Sequence, residues 1–158
     1  MIKFHCMKAF SSRSKPAILV WLLGLVIPAL VSAQPGSVRV DNFELLYSVV
    51  NTTFVEPDTA ALYQLVRAKD RAFINLAVRE ELPDGSSRPV SARFKGRTWD
   101  LFQNQFLEFR EIREGAAIYY IADFEFSDSE IRFFDIDWAA EGMQRSSNLR
   151  FKQKVYEE

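Results

Sequence analysis

Strict alternation of apolar and polar residues is the feature that most constrains the fold of this chain. From Ile118 to Phe126 every second residue is apolar or aromatic, and Asp123 and Glu125 lie between them. Successive side chains of a β-strand point to opposite faces, so this pattern predicts a strand with one buried face. The same alternation recurs along most of the chain after residue 37, which indicates an all-β domain.

The alternation predicts about seven strands, separated by turn signals. They lie at 43–49, 72–78, 90–98, 102–112, 118–126, 131–138 and 149–156, with 38–40 able to pair ahead of the first. Pro83-Asp84-Gly85 is typical of a turn, and a short helical turn is predicted at 57–63, where Pro57 suits the first helical position. These elements indicate an immunoglobulin-like antiparallel β-sandwich of about seven strands, with one short helical turn after the first strand.

Residues 1–33 predict a secretory signal peptide. Four basic residues precede an apolar run from Ala17 to Val31, and small residues end the segment at Ala33. We therefore expect cleavage after Ala33, a single β-sandwich domain over 34–158, and a periplasmic location, since small domains of the eukaryotic secretory route usually carry disulfides. An uncleaved anchor stays open, although this 15-residue run is shorter than the ~20 residues of a spanning helix.

Composition excludes several chemistries from the exported domain. The only histidine and cysteine, His5 and Cys6, lie in the predicted signal peptide, so no Ser-His-Asp triad, thiol nucleophile or His/Cys metal site can form downstream. Met143 is the single methionine after residue 7, which excludes a methionine-rich copper carrier, and we expect no cofactor. Four of the 20 Lys and Arg residues precede the cleavage site; the remaining 16 against 21 Asp and Glu leave a net charge of −5, which disfavours nucleic-acid binding.

Two acids one residue apart, Asp135 and Asp137, form the main candidate for chemistry. On a strand both carboxylates project from one face, roughly 6.5–7 Å apart. They are candidate calcium ligands in a calcium-binding structural domain. The alternative is a cross-strand charge ladder, in which the last two strands pair so that Asp135 faces Lys152 and Asp137 faces Arg150.

The absence of a catalytic set favours a binding or interaction module, accessory or chaperone-like, in the cell envelope. We expect its partner to be another periplasmic or envelope protein, without nucleic acid and without stable membrane insertion after signal cleavage. The candidate contact residues are Asn51, Phe54, Tyr63 and Arg67, because binding residues often lie on loops held by a rigid scaffold. An alternative is that Phe54 and Tyr63 attach this loop to the core.

A second class of function also stays open, namely a carboxylate-dependent enzyme acting on envelope glycan. Such an enzyme needs two acids, one of them protonated near neutral pH. The candidate acids lie on the fifth and sixth predicted strands: Asp123, Glu125, Asp135 and Asp137. Pairing with Arg150 and Lys152 would hold the latter two ionised, which argues against this role.

Several segments together resemble a family of exported gammaproteobacterial proteins of unknown function, domain of unknown function 4426 (DUF4426). The segments are NTTF at 51–54, Pro57, Ala60-Ala61, Tyr63, Arg67, AFINLAV at 72–78, LEFREI at 107–112 and AIYYIA at 117–122. The resemblance covers about Val40 to Tyr156 and implies a periplasmic β-sandwich. It implies no activity, cofactor or catalytic residue.

Overall fold

The computed structural model describes residues 36–158, and the predicted signal peptide lies outside this range. Ten strands are present there: β1 (Gly36–Val40), β2 (Phe43–Asn51), β3 (Arg71–Glu81), β4 (Ser87–Pro89), β5 (Ala92–Trp99), β6 (Asn104–Leu107), β7 (Arg110–Glu114), β8 (Ala117–Glu125), β9 (Ile131–Ala140) and β10 (Ser147–Lys154). A six-stranded sheet has the order β1-β2-β3-β8-β7 with β4 beside β3, and a four-stranded sheet has the order β10-β9-β5-β6. Every pairing is antiparallel, which confirms the all-β sandwich. The immunoglobulin-like arrangement stays a prediction.

The alternating apolar residues fill the space between the sheets. On β3 all four residues of the predicted buried face are fully buried: Ala72, Ile74, Leu76 and Val78. From the four-stranded sheet, Phe134, Ile136 and Trp138 of β9 meet them, and the Phe134 ring stacks on Phe151 at a centroid distance of 4.5 Å. Burial of one such side chain contributes about 1.5–3 kcal/mol, so this core holds the layers together without a disulfide.

The number of strands is larger than predicted for two reasons. β1 and β4 are short additions, and the segment predicted as one strand at 102–112 is two strands that belong to different sheets. β6 pairs with β5 and β7 pairs with β8, so the chain passes between the layers at residues 108–109. This crossing explains why the alternation is broken there.

Residues 52–70 leave the six-stranded sheet after β2, and we call this segment the excursion. It contains a short 3₁₀ turn (Thr52–Phe54) and the predicted helical turn, α1 (Pro57–Leu62). Ala60 and Leu65 pack with Ile121 on the outer face of the sheet, in a second apolar cluster separate from the main core. The excursion is therefore an ordered part of the domain.

Candidate functional site

Asp135 and Asp137 lie on the outer face of the four-stranded sheet, as the alternation predicts, but their register differs from the prediction. Asp135 faces Arg150, and Asp137 faces Asn148. The Arg150 Nε donates to Asp135 Oδ1 at 3.1 Å, and the Asn148 amide donates to Asp135 at 2.7 Å and to Asp137 at 2.9 Å. The predicted pairs, Asp135 with Lys152 and Asp137 with Arg150, are wrong by two residues. A shift of two residues leaves every side chain on the same face of the sheet.

The surroundings of Asp135 favour its ionised form. The hydrogen bond from Asn148 and then that from Arg150 lower the pKa of the Asp135 carboxyl below its usual range. On the other side of the strand, Arg97 Nη2 lies 3.8 Å from Asp135 Oδ2. A carboxylate held in this way is a poor proton donor near neutral pH.

The other two candidate acids lie on the opposite side of the molecule. The Asp123 carboxylate accepts hydrogen bonds from Arg110 at 2.9 Å and from Arg71 at 3.4 Å. Arg71 also forms an ion pair with Glu125. These residues share the outer face of the six-stranded sheet, whereas Asp135 and Asp137 are on the outer face of the other sheet. The four acids therefore form two separate pairs that do not converge. Within residues 36–158, no three His, Cys, Asp or Glu side chains are grouped so as to hold a metal ion.

The outer face of the four-stranded sheet is rich in cations, and we call it the basic face. Its charged side chains are Arg93, Lys95 and Arg97 of β5, Asp135 and Asp137 of β9, and Arg150, Lys152 and Lys154 of β10. Lys95 lies beside Asp137, and Arg97 lies beside Asp135, in register. Of these cations, only Arg150 and Lys152 were singled out from the sequence, although the alternation on β5 already placed its three on one face.

Four of the six cations on this face have no carboxylate partner in the part of the chain that the structure describes. Arg97 and Arg150 approach Asp135, whereas no ion pair forms at Arg93, Lys95, Lys152 or Lys154. All four of these side chains are exposed. The face therefore presents uncompensated positive charge to solvent.

The basic face becomes aromatic and apolar towards the β5–β6 connection. Trp99 stacks on Phe133 at a centroid distance of 5.7 Å, and the Arg97 guanidinium lies 5.0 Å from the Trp99 ring centroid. Phe106 of β6 is opposite Arg97 and is 73% exposed. Residues 100–103, which we call the hairpin tip, follow Trp99. A cleft of about 490 Å³ lies between the tip and Ile131 and Phe133.

A buried arginine, which was not predicted from the sequence, lies behind this cleft. Arg132, on the inner face of β9, is 1% exposed; its Nη1 lies 3.2 Å from Glu130 Oε1 and 3.4 Å from Asp100 Oδ2. Its Nε also donates to Thr98 Oγ1 at 3.3 Å. The signal was present in the sequence, since Arg132 shares the phase of Phe134. Arg132 joins the β5–β6 connection to the start of β9.

The two carboxyls beside Arg132 have opposite pKa shifts. Burial raises the pKa of Glu130, and a hydrogen bond with Asp100 raises it further. Burial also acts on Asp100, but the backbone N–H groups of Gln103 and Phe102 donate to its carboxylate and lower its pKa overall. The pKa of Glu130 is thus above its ordinary value and that of Asp100 below it, because the backbone donors stabilise only the Asp100 carboxylate.

The predicted contact residues of the excursion separate into two groups. Phe54 is 67% exposed, whereas Tyr63 is half-buried against the apolar cluster on the six-stranded sheet. Asn51 Nδ2 donates to the Tyr156 carbonyl at 2.7 Å, and an Arg67 guanidinium N–H donates to the Thr53 carbonyl at 2.8 Å. Tyr63 thus attaches the excursion to the sheet, Asn51 joins the end of β2 to the C-terminal segment, and Arg67 closes the excursion on itself, whereas Phe54 is directed to solvent.

Comparison with known proteins identifies the family. The model for the domain of unknown function DUF4426 matches residues 37–158. This chain belongs to the DUF4426 family. A crystal structure of a DUF4426 family protein from Pseudomonas aeruginosa is 30% identical, covers 78% of this chain and 96% of its own, and has a TM-score of 0.68. No function is established for the DUF4426 family, and no curated protein matches the chain.

The DUF4426 fold is also similar to that of FetP from uropathogenic Escherichia coli strain F11. FetP expressed in the periplasm of E. coli is 10% identical, with a TM-score of 0.54 over 80% of this chain and 98% of its own. A copper-bound variant of FetP has a TM-score of 0.56 at the same identity, over 80% and 99% of the two chains. At this identity the likeness concerns the fold alone. Over residues 36–158 the chain has no His or Cys and one Met, so the soft ligands that suit copper are nearly absent.

Proposed function

We propose that this domain is a binding module of the bacterial periplasm that contacts an anionic component of the cell envelope through the basic face. The observation that carries the proposal is the set of four exposed cations without a carboxylate partner on one sheet face. Each unpaired charge raises the local potential, and a field of one sign attracts a partner of the opposite sign. The contrast with the net charge of the whole chain, −1, supports a local function for this face.

A periplasmic location has two supports. The N-terminal pattern predicts export, and the FetP neighbour was produced in the periplasm. In the described range, no helix has the length and apolar character to cross a membrane.

The excursion is a second candidate contact surface, for a protein partner. Three exposed apolar side chains support this proposal: Phe54, Leu62 and Val66. They project from a segment whose backbone is fixed by Thr52, which is fully buried and hydrogen bonded to Ala68 and Arg71. An ordered loop with exposed apolar groups loses little conformational freedom on binding.

Glycan hydrolysis and calcium binding have less support. Asp123, Glu125 and Asp135 are paired with arginines, and Asp137 accepts a hydrogen bond from Asn148. A glycosidase needs one carboxyl that stays protonated, and a calcium site needs six or more oxygen ligands. The geometry around these four acids favours neither.

In-cell photocrosslinking tests the proposed function. A photoreactive residue at Lys95 samples the basic face, one at Phe54 samples the excursion, and one at Arg79, exposed on the six-stranded sheet, is the control. We expect an adduct from Lys95 that declines when the salt concentration of the cell suspension is raised, and none from Arg79. An adduct from Phe54 alone would show that the excursion, and not the basic face, is the contact surface. Equal labelling at all three positions would contradict a specific binding role.

A further inference from the structure

The two most exposed large apolar residues of the described part of the chain, Leu101 and Phe102, lie at the hairpin tip, at one end of the basic face. Leu101 and Phe102 at the hairpin tip are 88% and 91% exposed, and Phe106 and Ile131 beside them are 73% and 46% exposed. Isolated apolar residues are common on protein surfaces, but apolar residues grouped around one cleft, as Leu101, Phe102 and Ile131 are here, mark an interaction site. Leu101, Phe102, Phe106 and Ile131 are therefore a second exposed apolar cluster, besides Phe54, Leu62 and Val66 of the excursion.

Two of the unpaired cations adjoin this cluster. Lys152 faces Phe133, and Lys154 faces Ile131, across the β9–β10 ladder. Trp99 lies on the other side of Phe133, on β5. The end of the sheet thus places aromatic rings between an apolar tip and a row of lysines, an arrangement with separate apolar and cationic zones.

The hairpin tip has a defined conformation. Asp100 Oδ1 accepts hydrogen bonds from the backbone N–H groups of Phe102 and Gln103, both at 2.6 Å, and the Asp100 N–H donates to the Gln103 carbonyl at 3.0 Å. These bonds direct the Asp100 carboxylate towards its own loop, and the Glu130 carboxyl is directed to the buried Arg132. Asp100 and Glu130 thus both contact the buried Arg132, whose positive charge offsets that of one carboxylate.

On the basis of the proposed function, we propose that the anionic component is a lipid bilayer surface, contacted by the hairpin tip and the adjoining end of the basic face. Leu101 and Phe102 enter the boundary between headgroups and acyl chains. Trp99 lies at the headgroup level, where indole rings favour a position between water and hydrocarbon. Lys152 and Lys154 contact anionic headgroups.

The combination of zones is what favours a lipid surface over an acidic protein. Positive charge alone would suit either partner, but a fully exposed apolar tip next to lysines matches the layered chemistry of a bilayer interface. Neither feature alone holds a domain firmly, because shallow insertion and electrostatic attraction each contribute modestly and act together. Each lysine near an anionic surface contributes about fivefold to the binding constant.

Vesicle co-sedimentation tests this proposal. Protein produced from the full-length gene is mixed with phosphatidylcholine vesicles that contain 30% phosphatidylglycerol, or with pure phosphatidylcholine vesicles. We expect binding to the anionic vesicles to exceed binding to the neutral ones by at least about tenfold, and to fall as NaCl is raised. Brominated lipids should quench a fluorescence component that Trp99→Phe removes, which separates Trp99 from Trp21 and from Trp138, whose ring is buried in the core.

Matched variants assign the effect to the proposed surface. Leu101→Ser with Phe102→Ser removes the apolar tip, and its control is Pro83→Ser with Ala116→Ser, at exposed positions in the β3–β4 and β7–β8 turns. Lys152→Glu with Lys154→Glu reverses the charge, and its control is Arg79→Glu with Arg145→Glu, at exposed positions away from the tip. Both test variants should lose at least about tenfold in binding, and both controls should stay within twofold. All variants share the same N-terminal sequence, so residues 1–35 contribute equally.

Three outcomes decide between the interpretations. Loss of vesicle binding in both test variants alone supports the lipid surface. Equal binding to anionic and neutral vesicles, or equal loss in the controls, overturns it. Absence of vesicle binding together with a protein adduct from Lys95 in cells also overturns it, but leaves the basic face as a contact surface for an acidic protein.

Discussion

Asp135 lies opposite Arg150 across the β9–β10 ladder, and its Oδ1 accepts a hydrogen bond from Arg150 Nε at 3.1 Å. This pair belongs to a row that crosses the whole four-stranded sheet, because Arg97 lies on the other side of Asp135 and Phe106 lies beyond Arg97. The aspartate is thus the negative centre of a positive face, and it holds two arginines in place.

Replacement of Asp135 by asparagine should lower the free energy of unfolding by about 0.2–1 kcal/mol at pH 7, as for other cross-strand charge pairs. The pKa of Asp135 is lowered in the folded state, so its stabilisation is present above the unfolded value of about 3.9 and is lost as pH falls through the folded value. The difference between variant and wild type should therefore shrink towards pH 2. Urea titrations at pH 7 and pH 2 measure it.

Asp137→Asn is the matched control for this prediction, because its carboxylate accepts one hydrogen bond, from Asn148. We expect a smaller loss than at Asp135. A larger loss at Asp137 would indicate that the register predicted from the sequence, with Arg150 opposite Asp137, is the true one.

The register of this hairpin shows what alternation can and cannot predict. The predicted pairing and the observed one differ by two residues, and both place the same side chains on the same faces. The register depends on the conformation of the loop at residues 141–146, which connects β9 to β10. Gly142 in this loop has φ +94°, a conformation that favours glycine. Faces follow from periodicity alone, whereas register follows from loop geometry.

The same reasoning accounts for the rest of the site. The cations of β5 were predictable as one face, since Arg93, Lys95 and Arg97 alternate with residues of the inner face. Their proximity to the β10 cations was not predictable, because it requires β9 to lie between β5 and β10. Strand order depends on contacts far apart in sequence, and a single sequence shows no signal of them.

Glu130→Gln should change the pH dependence of stability. The pKa of Glu130 is raised in the folded state, so its contribution is full below the unfolded value of about 4.3 and is lost as pH rises through the folded value. Glutamine does not ionise and avoids this loss. The melting temperature of Glu130→Gln relative to wild type should therefore rise between pH 4 and pH 8, with Glu141→Gln, at an exposed position, as the control. A difference in melting temperature that does not change with pH would contradict the raised pKa of Glu130.

Arg132→Ala should be among the most destabilising single changes in the four-stranded sheet. It removes the cation that lies within 3.2–3.4 Å of Glu130 and Asp100, and removal of one partner of a buried ion pair costs about 3–5 kcal/mol. Arg132→Met retains most of the side-chain volume and should cost less. Chemical denaturation of both variants measures the difference, and equal losses would show that the charge of Arg132, and not its packing against Phe124, is its main contribution to stability.

The two aromatic residues of the excursion should respond differently to truncation. Tyr63 packs on the second apolar cluster, so Tyr63→Ala should lower the free energy of unfolding by about 1–3 kcal/mol. Phe54 is 67% exposed, and Phe54→Ala should leave stability within about 0.5 kcal/mol. If the excursion binds a protein, Phe54→Ala should reduce capture of that protein in cells at unchanged melting temperature. A marked loss of stability in Phe54→Ala would instead place its ring in the folded core and remove it from the contact surface.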